Sequence, residues 1–289
     1  MVLKLYFSDM TDTNLYLPFE VDFKELEQFP KIIRKNNFFE LIYVVDGTGI
    51  QIINDNKFQY RKGNLFLVTP QDIHSFEITT PTKFFFLRFN EYYIRANSQN
   101  GQMETVLRME YILQNASHRP GCILKNKVDK PLIASLIESI INEQSNQQIY
   151  HQKIIEQIVN TIITIVARNI ALKLPKNIKE TTGEMVLEIL HYIQENIYDS
   201  KQLKSEKISV HFNISLHYLG KYFKKQTGET LQEYITNYKL RLIEARLLNS
   251  DMRINEIADE LNYSDESHLN KVFRKHKGMN PSEFRKKHS

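Results

Sequence analysis

The chain has 289 residues, 42% hydrophobic and 25% charged, with a net charge of +4 and a single cysteine, Cys122. Those proportions suit a soluble globular protein with room for two domains, and they exclude a disulfide scaffold, because a lone cysteine has no partner within the chain. No basic segment leads into an apolar run at the N-terminus, and no uninterrupted apolar stretch approaches membrane-spanning length, so the protein is expected in the cytoplasm with no membrane partner.

Residues 37–89 read as short strands separated by turns. Leu41 to Val45 is apolar and β-branched and is broken by Asp46-Gly47-Thr48-Gly49. Ile50 to Ile53 follows, then the turn Asn54-Asp55-Asn56, the alternating Lys57 to Tyr60, and the turn Arg61-Lys62-Gly63-Asn64. Leu65 to Val68, Ile73 to Ile78 and Lys83 to Phe89 complete the set. Strands this short and evenly spaced predict a sandwich or barrel. Helical periodicity takes over at Pro131 to Gln144 and again at Tyr150 to Ala171. The run Ile154, Ile155, Ile158, Ile162 and Ile163 offers more apolar surface than one barrel face needs, so this helical pair is expected to form a homodimer interface. Residues 174–181 are polar, contain Pro175, and read as a linker; from Gly183 onward the chain is helical almost throughout. The expected architecture is α+β in two domains: residues 1–173 for the barrel and dimerisation helices, and an all-α unit at 182–289.

The last third contains one pattern twice. Ile208-Ser209, Phe212-Asn213-Ile214-Ser215, Leu219 and Phe223-Lys224-Lys225-Gln226-Thr227-Gly228 recur as Ile257-Ala258, Leu261-Asn262-Tyr263-Ser264, Leu269 and Phe273-Arg274-Lys275-His276-Lys277-Gly278. The offset is 49 residues up to the two serines and 50 beyond them, so the second turn holds one inserted residue. Each copy reads as a helix-turn-helix: Asn213 and Asn262 tolerate the left-handed turn, Ser215 and Ser264 are the expected caps of the second helix, and Gly228 and Gly278 stop it. His217, Gly220, Lys221 and Lys224 fall on one outward face, with Lys225 beside them. Ser267, Asn270, Lys271 and Arg274 fall on the other, with His268 alongside. Hydrogen-bonding groups followed by cations suit base edges and then phosphate, so double-stranded DNA is the expected partner. Bulk charge does not announce it: residues 182–289 carry 17 Lys and Arg against 15 Asp and Glu, a net of +2.

These residues resemble the AraC/XylS family of bacterial transcription regulators. The likeness is strongest along Ile254-Asn255-Glu256-Ile257-Ala258, Leu261-Asn262-Tyr263-Ser264, Ser267-His268-Leu269, Val272-Phe273-Arg274-Lys275 and Gly278-Met279-Asn280-Pro281-Ser282-Glu283-Phe284-Arg285. The resemblance implies a long helix joining the two readers, for which Leu231 to Asn249 is the candidate, with Tyr234, Leu240, Ile243, Ala245 and Leu248 as its apolar side. It also implies RNA polymerase as a further partner if the protein activates transcription. Four residues, in three kinds of departure, differ from the family pattern. Asn262 replaces a usual Gly, Leu269 replaces a common aromatic, and Lys221 and Lys271 stand where Arg is frequent. Lysine lacks arginine's two-pronged grip on guanine, which shifts those positions toward phosphate.

Residues 37–89 resemble the cupin-like effector domain that precedes the reader in many such regulators, through Phe38-Phe39-Glu40-Leu41-Ile42-Tyr43-Val44, Gly47-Thr48-Gly49, Gly63 to Pro70 and Ile73-His74-Ser75-Phe76. Cupins include metalloenzymes, yet His74 is the one histidine in residues 1–117, and one His with one Glu falls short of three metal ligands. The barrel is therefore expected to be neither enzyme nor metal site, to need no cofactor, and to bind a small-molecule effector. Glu40, His74 and Arg88 are placed to orient it, with Phe38 and Tyr43 among its aromatic walls. Two alternatives are a barrel that serves only dimerisation or protein contact, and a cupin enzyme fused to a DNA-binding domain.

Overall fold

The computed structural model describes residues 15, 17–29, 37–70, 72–96, 103–118, 121–172 and 183–288; the expected linker, 174–181, lies outside them. Seven strands come first: β1 (Phe19–Leu26), β2 (Phe39–Asp46), β3 (Thr48–Ile53), β4 (Asn56–Arg61), β5 (Leu65–Val68), β6 (His74–Ile78) and β7 (Thr82–Phe89). They form two antiparallel sheets, β1-β7-β2-β5 and β4-β3-β6. β1 was not among the expected strands, although Phe19, Val21 and Phe23 alternate there with Glu20, Asp22 and Lys24; it pairs with β7 from Phe19↔Phe89 to Leu26↔Thr82.

Strand alternation divides the larger sheet into two apolar faces. Ile42, Val44, Phe66, Val68, Phe84 and Phe86 point inward and meet Ile53, Tyr60 and Phe76 of the smaller sheet. Phe39, Leu41, Tyr43, Leu65, Leu67, Phe85, Leu87 and Phe89 point to the other side, against helices. The hairpin β3–β4 turns on Asn54 and Asp55, at φ 44° and 61°, as a two-residue turn with two positive φ angles requires. At Gly47, φ is 104°, and a side chain there would press on Pro81 and Thr82.

Helices cover the outer face: α1 (Glu91–Ala96), α2 (Met103–Gln114), α3 (Asp129–Asn146) and α4 (His151–Ala171). The last two match the expected helical pair. Buried Asp129 ties them together, accepting from Arg168 Nη2 at 2.7 Å and Asn169 Nδ2 at 2.7 Å. The isoleucine run is not a free surface, which corrects the expectation drawn from it. Ile155, Ile162 and Ile163 are buried against the sheet, Ile158 is half-buried there, and only Ile154 is exposed. α4 is long and apolar enough to cross a membrane by length and composition, but half of its apolar window is buried inside the protein, as for a core helix.

The C-terminal unit consists of α5 (Glu184–Glu195), α6 (Ser205–His211), α7 (Leu216–Thr227), α8 (Leu231–Asn249), α9 (Ile254–Glu260), α10 (Glu266–Lys277) and α11 (Pro281–His288). α8 has the expected span, opened by a capping box between Thr230 and Glu233. Its burial differs from the expected single apolar side. Leu231, Tyr234, Ile235, Tyr238, Leu240, Leu242, Ile243 and Leu247 are buried around much of its girth, Ala245 is half-buried and Leu248 is exposed. The domain boundary is crossed by α2, whose Leu107 and Tyr111 join this C-terminal core. Tyr111 Oη lies 3.1 Å from Tyr234 Oη, and the Tyr111 carbonyl accepts from Gln194 Nε2 at 3.5 Å.

Candidate DNA-binding and effector sites

Both copies of the repeated pattern fold as a short helix, a tight turn and a longer helix. In the first, Asn213 sits at φ 51°, and Ile214 N–H donates to the Ser209 carbonyl at 2.9 Å. In the second, Asn262 sits at φ 55°, and Tyr263 N–H donates to the Ala258 carbonyl at 2.9 Å. The caps then diverge. Ser215 Oγ accepts from Tyr218 N–H at 3.2 Å, as expected. On α10 the cap is Asp265, whose Oδ1 accepts from His268 N–H at 2.7 Å, and not Ser264. Ser264 is thus the inserted residue, which accounts for the change of offset from 49 to 50. It instead contacts His268, with Oγ 3.2 Å from Nδ1. Gly228 and Gly278 end the two helices at φ 80° and 76°.

The outward faces carry the expected side chains. His217, Gly220, Lys221, Lys224 and Lys225 are exposed on α7, and Ser267, His268, Lys271 and Arg274 are exposed on α10. Asn270 departs from this: it is half-buried, and its Oδ1 is enclosed with no hydrogen-bond partner among the described residues. A residue not expected on this surface is Tyr218, exposed on α7 and stacked on Tyr222 with centroids 5.5 Å apart.

α8 holds the two readers in fixed relation. On the α7 side, Tyr234 packs edge-on against Phe223 at 5.6 Å. On the other side, Lys239 Nζ donates to the Leu261 carbonyl at 2.7 Å, supplying a cation to the end of α9. Arg246 grips Glu260 through two hydrogen bonds, at 2.9 and 2.5 Å. Lys277 reaches Glu244 of α8 at 2.6 Å. At 19 residues α8 is about 28 Å long, close to the ~34 Å helical turn of duplex DNA. α8 thus carries two exposed cationic helix faces at a fixed spacing.

At one end of the sandwich, Glu40 of β2 and Arg88 of the adjacent β7 meet His74, from β6 of the facing sheet. Arg88 Nε donates to Glu40 Oε1 at 2.7 Å, and His74 Nε2 lies 3.3 Å from Glu40 Oε2. Glu20, from the unexpected β1, lies 3.5 Å from Arg88 Nη1. Burial alone would raise the Glu40 pKa, but the hydrogen bond from His74 and the charge of Arg88 outweigh it and hold the carboxyl at about 2. Phe29, also unexpected, has its ring 5.9 Å from that of His74 and 4.9 Å from that of Phe76. Tyr43 is not part of this group, because it lies on the helical face of β2, opposite Glu40. Phe38 is buried immediately before β2. Among the described residues no three His, Cys, Asp or Glu side chains gather as metal ligands would.

A sensor-like sandwich followed by paired helix-turn-helix units defines a two-domain regulator of transcription. Residues 28–158 match the family model described as AraC-like ligand binding domain, and residues 208–287 match the one described as helix-turn-helix domain. The chain belongs to the AraC family: it is a DNA-binding transcription regulator with an N-terminal ligand-binding domain. Among its relatives, the uncharacterized HTH-type transcriptional regulator YfiF of Bacillus subtilis is 24% identical over 272 residues, covering 88% of this chain and 78% of that protein. The HTH-type transcriptional activator RhaS of Escherichia coli is 24% identical over 265 residues, covering 86% of each. A solved structure of ToxT from Vibrio cholerae aligns with 93% of this chain and 98% of its own, at 12% identity and TM-score 0.35.

Proposed function

We propose that the protein is an effector-controlled regulator, with residues 1–173 sensing and dimerising and residues 182–289 reading DNA. The observation that carries the reading half is the pair of exposed cationic faces fixed to one rigid helix. Lys221, Lys224 and Lys225 of α7 and Lys271 and Arg274 of α10 take phosphate; His217, Ser267 and His268 face the groove. Gly220 leaves room on the α7 surface, where an added Cβ would meet nothing. Asn270 keeps a base-reading role through its amide nitrogen.

For the sensing half, Glu40, His74 and Arg88 orient the effector, and Phe38 stays near the site; Tyr43 is dropped because it faces the helices. The helical pair still serves as the homodimer surface, through exposed Leu132 and Ile154 in place of the isoleucine run. The protein works in the cytoplasm without an enzymatic activity, and meets RNA polymerase where it activates. Selection from a random duplex library with the full chain tests the reading. It should enrich two half-sites about 10 base pairs apart. Enrichment of a single half-site, or of none, overturns it.

A further inference from the structure

The inner face of the smaller sheet is laid out in rows by strand register. Ile53 lies between Asn56 and His74, and Gln51 lies between Phe58 and Phe76. Gln51 is 1% exposed, and alternation along β3 turns it inward with Ile53. Neither its Nε2 nor its Oε1 finds a hydrogen-bond partner among the described residues. A primary amide enclosed by aromatic rings without partners disfavours the folded state, and methionine would fill the same length of space without that cost. One more enclosed oxygen of the sandwich has no partner among the described residues: Asn56 Oδ1, in the neighbouring row.

The charges nearby are already matched. Arg88 is taken by Glu40 and Glu20, and Lys24 by Asp22 at 2.9 Å. An anionic ligand would find none of these cations free, whereas the enclosed Gln51 amide and Asn56 oxygen call for a molecule that donates and accepts hydrogen bonds without charge. We propose that Gln51 is the anchor that sets effector specificity, and that the effector is a neutral molecule bearing hydroxyl or amide groups, not a carboxylate or a phosphate. This rests on the effector-binding reading above and names the class of ligand for that site.

The test uses the full chain, Gln51→Met and Gln51→Leu, and two ligand panels. One panel holds neutral pentoses, hexoses, polyols and nucleosides; the other holds sugar acids and sugar phosphates. Without ligand, Gln51→Met should melt at least about 2 °C higher than the parent, because an enclosed unpaired amide is gone. A fall in melting temperature in both variants shows that the amide is partnered within the protein and overturns the proposal. With ligand, a member of the neutral panel should raise the parent's melting temperature, and its affinity should drop about 5- to 150-fold in both variants. A shift confined to the anionic panel, or one that survives both substitutions, overturns the proposal while leaving effector binding intact. No shift from either panel removes the effector-binding reading along with it.

Discussion

Tyr111 offers the sharpest test of how the two halves are joined. It belongs by sequence to the sensing half, yet it is wholly buried in the core of the reader. Truncation of a buried aromatic to alanine costs about 3–5 kcal/mol, through lost transfer energy and the cavity left behind. Tyr111→Ala also leaves Tyr234 Oη, now 3.1 Å from Tyr111 Oη, enclosed without that partner. Because domains are stable by only about 5–15 kcal/mol, the variant should keep its sandwich and lose much of its reader's stability. Chemical denaturation followed by circular dichroism, beside DNA binding by fluorescence anisotropy, reads both. The fragment 183–289 lacks α2 altogether, so it should bind DNA but unfold at lower denaturant than the reader does in the intact chain. A Tyr111→Ala protein within 1 kcal/mol of the parent, together with a fragment as stable as the intact reader, would refute the shared core.

Three further outcomes follow from the geometry. Lys221→Ala and Lys271→Ala should each weaken DNA binding and flatten the slope of log affinity against log salt by about one unit, measured by anisotropy titration, if each lysine neutralises one phosphate. Glu40 is held at about 2, below its ordinary 4.5, so the unfolded chain binds its proton first. The resulting stabilisation, on the order of 3 kcal/mol, is present above pH 4.5 and lost as pH falls through 2. Denaturation of Glu40→Gln across that window should show a shallower acid dependence than the parent. Ile162→Asp should give an unfolded or aggregated protein by size exclusion and circular dichroism, and not a folded monomer, because Ile162 is 1% exposed.

The reader was legible because its chemistry is local. The duplicated spacing, the turn asparagines and the helix-ending glycines each act within a few residues, and the two asparagines and two glycines landed as expected. The offset change was visible too, and so was its cause, one residue inserted in the second turn; the cap was the part misassigned. Serine and aspartate are both good caps, and nothing in Tyr263-Ser264-Asp265 alone says which residue starts α10. The polar group in the sandwich was legible for a similar reason. Glu40 and Arg88 lie on facing positions of β2 and β7, and period-two alternation sends both to one side. The same rule excludes Tyr43, three positions from Glu40 on the same strand, so that error could have been avoided from sequence.

Gln51 and α2 were harder to read, because each is defined by a contact the sequence does not announce. In strand β3 a glutamine among isoleucines looks like the solvent side of an alternating strand, and only the second sheet makes that side an interior. In α2, Leu107 and Tyr111 look like the inward face of a helix that should cover its own domain. Their burial comes instead from Val186, Leu190 and Tyr234, more than 70 residues along the chain. A regulator needs such a contact, since an effector can alter DNA binding only if the two states of the sensor differ in how they hold the reader. Hydrophobic pattern specifies that a face must be buried and is silent on which domain buries it, so the element joining sensor to reader is the one that pattern reading assigns to the wrong half.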